Sequence, residues 1–211
     1  MARRPSLRST PKRPGSSPQT APKGSNKLRI IGGRWRGRKL EFAHLPGLRP
    51  TTDRVRETLF NWLQTALPGA NCLDLFAGSG ALGLEALSRG ADHVTLIDSA
   101  DAAVRQLRLN LNTLDAEQQA QVVHSQAQNW LRSANAEQAF DLVFLDPPFG
   151  RGMLAECCQL LEQQGLLKPD SWIYIEAEKA LQPLPVPTNW QLHRSLNAGQ
   201  VGCYLYQLDN R

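Results

Sequence analysis

Asp146-Pro147-Pro148-Phe149 follows directly on the apolar run Phe140–Leu145. A carboxylate, two rigid prolines and an aromatic ring are thus delivered together at the end of a buried segment. Two consecutive prolines remove two backbone donors and fix φ, which stops a β-ladder and leaves a stiff, extended turn. Such a corner suits methyl transfer to an aromatic exocyclic amine. That amine is a poor nucleophile because its lone pair is spread into the ring. Acceptors on its protons, here the Asp146 carboxylate and the Pro147 carbonyl, localise the pair and stabilise positive charge as it grows. Phe149 would stack on the planar base, as enzymes that extrude a base from its helix require. Taken alone, the tetrapeptide is also what a structural turn with a helix cap looks like.

A second chemical element is Asp74-Leu75-Phe76-Ala77-Gly78-Ser79-Gly80-Ala81-Leu82-Gly83, a glycine-rich turn between an apolar strand and a helix. Gly78, Gly80 and Gly83 satisfy the dinucleotide spacing, with Asp98 twenty residues after Gly78. By itself the pattern leaves several nucleotide cofactors open. Asp74 separates them, because beside a pyrophosphate at ~4 Å and an effective dielectric near 20 it would be repelled by about 4 kcal/mol. The ammonium of S-adenosylmethionine would instead welcome it. That cofactor also has ribose hydroxyls for Asp98, with Ser99 beside it, and an adenine for the loop Ser125-Gln126-Ala127-Gln128. The expected cofactor shell is therefore Asp74, Phe76, Ala77, Gly78, Ser79, Gly80, Asp98, Ser99, Gln126, Ala127 and Asp146, without a metal. The catalytic residues are expected to be Asp146, Pro147 and Phe149.

All of these groups must stand at strand ends, and the chain supplies the strands. Cys72–Leu75, His93–Ile97, Gln121–His124, Phe140–Leu145 and Trp172–Glu176 are predicted as strands, and Ala81–Ser88, Ala100–Leu114, Asn129–Ala134 and Met153–Gln164 as helices. Strict alternation makes a doubly wound α/β sheet the economical fold. Gln191–Leu196 and Gly202–Leu208 flank Asn197-Ala198-Gly199-Gln200, a hairpin signal. The expectation is a Rossmann-like, S-adenosylmethionine-dependent methyltransferase fold: seven strands, mostly parallel, with an antiparallel C-terminal hairpin. Binding sites in open parallel sheets lie at the carboxyl ends of the strands.

Charge divides the chain. Residues 1–40 hold twelve Lys and Arg and no acid, leaving twelve basic against nineteen acidic residues in the rest, so the overall +5 is +12 at the head and −7 elsewhere. A polyanionic partner for the head follows. Residues 1–26, with five prolines among Ser, Thr, Gly and Lys, read as a flexible tail; 27–69 as a basic hairpin and helix extension; 70–211 as the methyltransferase domain. Within the extension, two short strands around Gly32-Gly33 interleave Arg34, Trp35, Arg36, Arg38 and Lys39, a pattern for gripping phosphate and stacking bases. The bland alternative is a solvated hairpin stacked on the domain. Thr52 or Asp53 can cap a helix whose apolar face is Val55, Leu59, Trp62 and Leu63, with Arg49, Arg54 and Arg56 clustered at its start as a basic rim.

Cys72, Cys157, Cys158 and Cys203 lack metal-ligand spacing and read as thiols in a reducing cytoplasm, and the four histidines form no constellation. No apolar run reaches membrane length, so no membrane partner is expected. The acid-free Arg and Ser head is also the composition of an organelle transit peptide, a minor alternative.

Three motifs together resemble one family. Asp74-Leu75-Phe76-Ala77-Gly78-Ser79-Gly80, Asp146-Pro147-Pro148-Phe149 and Arg49-Pro50-Thr51-Thr52-Asp53-Arg54-Val55-Arg56-Glu57 look like the bacterial RsmD family, the 16S ribosomal RNA (guanine(966)-N2)-methyltransferases. The first two occur in many amino-methylating enzymes; the third, with the Ile30-Gly32-Gly33 to Arg38-Leu40 hairpin, is more particular. The resemblance runs from about Lys27 to the C-terminus. It implies S-adenosylmethionine as donor, one small-subunit guanine as target and an assembled or assembling small subunit as substrate. A monomeric, cytoplasmic enzyme is expected. Asp98 departs from the pattern, since such proteins more often carry Glu there. An N6-adenine methyltransferase on RNA or DNA stays open on the corner alone, as does a catalytically silent ribosome-assembly factor. A dehydrogenase would fit the glycines but leave Asp74, the Pro-Pro corner and the basic head without purpose.

Overall fold

In the computed structural model the described residues are 26–45 and 50–209. The predicted tail, apart from its last residue, lies outside them, as does Arg49. A small antiparallel hairpin, β1 (Lys27–Arg29) and β2 (Lys39–Glu41), precedes helix α1 (Asp53–Trp62). Then β3 (Asn71–Asp74), α2 (Gly83–Ser88), β4 (His93–Asp98), α3 (Asp101–Leu114), β5 (Ala120–His124), α4 (Ala127–Ser133), β6 (Phe140–Leu145) and α5 (Met153–Gln163) alternate. The chain finishes with β7 (Leu167–Glu178), β8 (Trp190–Ala198) and β9 (Val201–Leu208). These form a seven-stranded sheet in the order β5-β4-β3-β6-β7-β9-β8, parallel from β5 to β7 and antiparallel where β9 joins β7 and β8. The predicted fold class is the observed one. The topology reverses between β3 and β6, and there the Asp74 and Asp146 strands lie side by side.

Strand alternation sorts the core into two layers. Cys72, Leu142, Phe144, Tyr174, Cys203 and Leu205 face α1, α2 and α3, meeting Leu59, Phe60, Leu63, Leu84, Leu87 and Leu107. Leu73, Leu75, Val143, Leu145, Ile173 and Ile175 face the opposite layer, which holds Leu131 of α4 and Leu154, Cys157 and Leu161 of α5. Strand β7 begins five residues before its predicted start. Leu167 pairs with Phe140, then the register shifts across Pro169 and Asp170 before Trp172 meets Leu142, so Pro169 falls in an irregularity within the strand. Helix α2 starts at Gly83 instead of Ala81 because residues 78–82 complete the turn, whose Gly80 N–H donates to the Ala77 carbonyl.

The basic hairpin packs onto this body. Gly33, at φ +73, lies so close to α2 that a Cβ would meet the Ser88 carbonyl oxygen at 1.7 Å, which only glycine allows. Ile30, Trp35 and Leu40 belong to the α1 side of the core. Among the described residues, no helix is long and apolar enough to cross a membrane, and no group of three or more His, Cys, Asp or Glu side chains is placed to hold a metal ion.

Candidate active site

Four neighbouring strands end in a carboxylate: β3 in Asp74, β4 in Asp98, β6 in the adjoining Asp146, and β7 near its end in Glu176. Register places three of them on one face. Asp74 is the partner of Phe144, and Phe144 of Tyr174, so Asp146 and Glu176 follow two residues on in the same alternation. Asp74 is buried and accepts a hydrogen bond from the Gly83 N–H at 3.1 Å. Burial, with the charges of Asp98 and Glu176, raises its pKa to about 7 against the opposing pull of the Gly83 and Phe76 N–H groups. Asp146 is half-buried, and burial first, then the charges of Glu176 and Asp74, push it well above the usual carboxylate range. Glu176 is raised by burial while Thr51 and Tyr174 donate to it. No Lys or Arg acts on either carboxylate among these groups. A strand-end region carrying three carboxylates of high proton affinity is suited to a cationic ligand.

The glycine turn is built to close over the ends of β3 and β4. Asp98 bridges it, accepting from the Gly78 N–H at 2.7 Å and from the Ala100 N–H at 2.7 Å. Each oxygen keeps a further lone pair for a hydroxyl donor. Gly80 stands at φ +79, a backbone conformation that favours glycine, and packs against the side chains of Leu84 in α2 and Leu107 in α3, each 2.7 Å from where a Cβ would stand. Phe76 and Gly78 are half-buried, Ala77, Ser79 and Gly80 buried, and Ser99 exposed. The Ser125 N–H donates to the Asp98 carbonyl, which sets the next loop beside β4. Gln126 there is exposed and precedes α4; Ala127 is buried, so only its backbone is on offer.

Beyond β6 the corner is shaped as its prolines require. Pro147 is buried, and the Gly150 N–H, donating to Glu178 at 2.5 Å, ties the loop to β7. Phe149 is 44% exposed, an unusual state for a phenylalanine and the one a stacking platform needs. The structure thus brings Asp74, the glycine turn, Asp98, Asp146, Pro147 and Phe149 to one end of the sheet.

The residues expected to contact RNA divide. Arg34, Arg36, Arg38, Lys39, Thr52 and Arg54 are exposed. Thr52 caps α1, accepting from the Val55 N–H at 3.4 Å, and Arg38 donates to the Thr113 carbonyl at 3.2 Å. Trp35 and Arg56 correct the expectation. Trp35 is 8% exposed, its ring turned into the core beneath the Arg34 guanidinium 3.8 Å away, so it is closed to a base. Arg56 is 0% exposed and ion-paired with Asp53 at 2.7 Å and Glu85 at 3.3 Å, while donating to the Arg29 carbonyl at 2.8 Å. Glu85 in turn accepts from the Ile31 and Gly32 N–H groups, both at 2.8 Å, and pairs with Arg89. Arg56 therefore fastens the hairpin to α1 and α2. Periodicity carries the signal, since Arg56 precedes Leu59, Phe60 and Leu63 by three, four and seven positions and so sits on the buried stripe.

Sequence reasoning also missed Thr51 and Glu176. Thr51 donates to Glu176 at 2.8 Å, and Tyr174 donates to the same oxygen at 3.0 Å. The available sign was the recurrence of an acid closing each apolar strand. Two surface clefts, of about 520 Å³ along Pro185–Asn189 and about 440 Å³ between Arg34 and Gly90, lie away from these strand ends.

Comparison with known proteins shows the family and agrees with the fold. Residues 28–207 match the family described as Conserved hypothetical protein 95. Ribosomal RNA small subunit methyltransferase D of Escherichia coli is 55% identical over 184 residues, 87% of this chain and 91% of that protein. Its namesake from Haemophilus influenzae is 45% identical over 88% of this chain and 96% of its own length. The solved Escherichia coli protein yhhF is 54% identical and superposes with a TM-score of 0.79, covering 88% of this chain and 99% of its own. With family motifs, fold and near-complete coverage in agreement, the chain belongs to the Conserved hypothetical protein 95 family, that of the ribosomal RNA small subunit methyltransferase D (RsmD) proteins.

Proposed function

We propose that this chain is an S-adenosylmethionine-dependent methyltransferase that modifies the exocyclic N2 amine of a guanine in 16S ribosomal RNA, at position 966 by resemblance to its family. The observation that carries the reading is the meeting of Asp74 and Asp146 at the ends of adjacent parallel strands, beside an exposed Phe149. The residues fit the cofactor. Asp74 answers its ammonium, Asp98 its ribose hydroxyls, the Phe76–Gly80 turn and Ser99 its flank, and Gln126 with the Ala127 backbone its adenine. When bound, S-adenosylmethionine supplies an electrophilic methyl group whose carbon is joined by the amine's lone pair while the sulfur keeps the departing bond's electrons.

The chain's own residues have three tasks. Phe149 stacks on the base and sets its plane. Asp146 and the Pro147 carbonyl accept from the two amine hydrogens and hold the nitrogen pyramidal, with its lone pair aimed along the transfer line. After transfer the nitrogen carries a positive charge, and one proton leaves it towards Asp146, whose high proton affinity suits that role. The substrate is proposed to be RNA within an assembled or assembling small subunit, met by a monomeric, cytoplasmic enzyme. Arg34, Arg36, Arg38, Lys39, Thr52 and Arg54 form the proposed contact face, while the acid-free tail adds charge.

Transfer of labelled methyl to small subunits from cells lacking the protein tests the reading; label that never enters RNA overturns it. Phe149→Ala is expected to lower kcat/KM about 10- to 100-fold through lost stacking, with Phe149→Tyr near wild type. An alanine variant of unchanged kcat/KM would remove the clamp. Arg36→Glu with Arg38→Glu should weaken RNA binding and flatten the plot of log affinity against log salt by roughly 1.5 to 2. An unaltered salt slope would show that these arginines meet no phosphate.

A further inference from the structure

Glu176 belongs to neither the predicted site nor the mechanism above, yet the fold takes trouble over it. It is 6% exposed, on the same sheet face as Asp146 and one strand further along. Two hydroxyls hold it. Thr51 approaches from the segment before α1 at 2.8 Å, and Tyr174 from β7 at 3.0 Å. Both donate to Oε1, and no described donor is paired with Oε2. Neighbouring strands in register stand roughly 4.8 Å apart, which sets the two carboxylates side by side. The titratable neighbours are Asp74 from β3, Tyr174 from β7 and Cys203, which pairs with Glu176, from β9. None carries positive charge, so nothing in this group neutralises Glu176 or screens Asp146 from it.

We propose that Glu176 is a positioning residue for the transfer reaction, acting through Asp146: fixed by Thr51 and Tyr174, it holds a negative charge beside Asp146 and makes that carboxylate a stronger acceptor for the proton leaving the methylated amine. This rests on the function proposed above. The proton passes from the methylated nitrogen to Asp146 and then to solvent, the N–H bonding pair remaining on nitrogen. Burial and the Glu176 charge act on Asp146 in the same direction. Removing the Glu176 charge therefore lowers the proton affinity of Asp146, and the acidic limb of the rate profile moves to lower pH.

The test is single-turnover methyl transfer to small subunits across pH for wild type, Glu176→Gln, Glu176→Asp and Thr51→Val, with melting temperature and S-adenosylmethionine affinity measured alongside. Glu176→Gln should move the acidic midpoint down by about one pH unit and lower the plateau rate about tenfold. Glu176→Asp, which keeps the charge, should restore the midpoint. Thr51→Val weakens the hold on an ionised Glu176 and should shift the midpoint the same way by a smaller amount; it decides the matter where the glutamine variant does not fold. Profiles of Glu176→Gln or Thr51→Val that superimpose on wild type overturn the inference while leaving the proposed function standing. A wild type that transfers no methyl to RNA overturns the function itself.

Discussion

Asp146→Ala is expected to lower methyl-transfer turnover by at least ~10³-fold while S-adenosylmethionine affinity stays within about threefold. A single preorganised group aimed at developing charge contributes about 10²- to 10³-fold in a dry site. Asp146 combines that duty with accepting the departing proton, for which about 10²-fold more is typical. Cofactor affinity has other anchors, since Asp74 is held by Gly83 and Asp98 by Gly78 and Ala100. The charges that act on Asp74 are those of Asp98 and Glu176, and both remain in the variant. Rapid-quench turnover and calorimetry on the same preparation separate the two effects. A variant with wild-type turnover removes Asp146 from the mechanism, and one that has merely lost the cofactor makes it a binding residue.

Arg56→Met is expected to cost about 3–5 kcal/mol of folding stability, the usual consequence of leaving a buried charge without its partner. Glu85 is wholly buried and would keep Arg89 and two backbone donors, losing the cation that faces it from α1. Asp53 would lose one of its two arginines, keeping Arg29 at 2.8 Å. The Arg56 Nε atom is buried without a partner, so its removal offsets a small part of this loss. Urea titration measures the loss, and Glu85→Gln in the Arg56→Met background should recover part of it. A stability change below about 1 kcal/mol, joined to a flatter salt dependence of RNA binding, would return Arg56 to the surface role that its place in the motif first suggested.

What the sequence revealed and what it hid follow from physical range. The glycine turn, Asp98 and the Asp-Pro-Pro-Phe corner announce themselves because their demands are local: positive φ, a broken ladder, an acid at the end of an apolar run. Alternating strand and helix patterns were enough for a doubly wound sheet and its terminal hairpin, since each element's period is set within a few residues. Arg56 was misplaced because charge on a helix start ordinarily means solvent. Its partners Glu85 and the Arg29 carbonyl lie 29 and 27 positions away, and only the folded chain brings them close. Trp35 was misread for a related cause, as Arg on either side of it masked a ring that the hairpin turns inward. Thr51 and Glu176 were invisible as a pair across 125 positions, although the acid that closes β7 repeats the pattern at β3, β4 and β6.

The central claim concerns which atom receives the methyl group. Small subunits from cells lacking this protein should be incubated with the enzyme and deuterium-labelled S-adenosylmethionine, and their RNA digested to nucleosides for mass spectrometry. Label is expected in N2-methylguanosine from 16S RNA; label in N6-methyladenosine, or in no nucleoside, would show that the guanine N2 amine is not the acceptor.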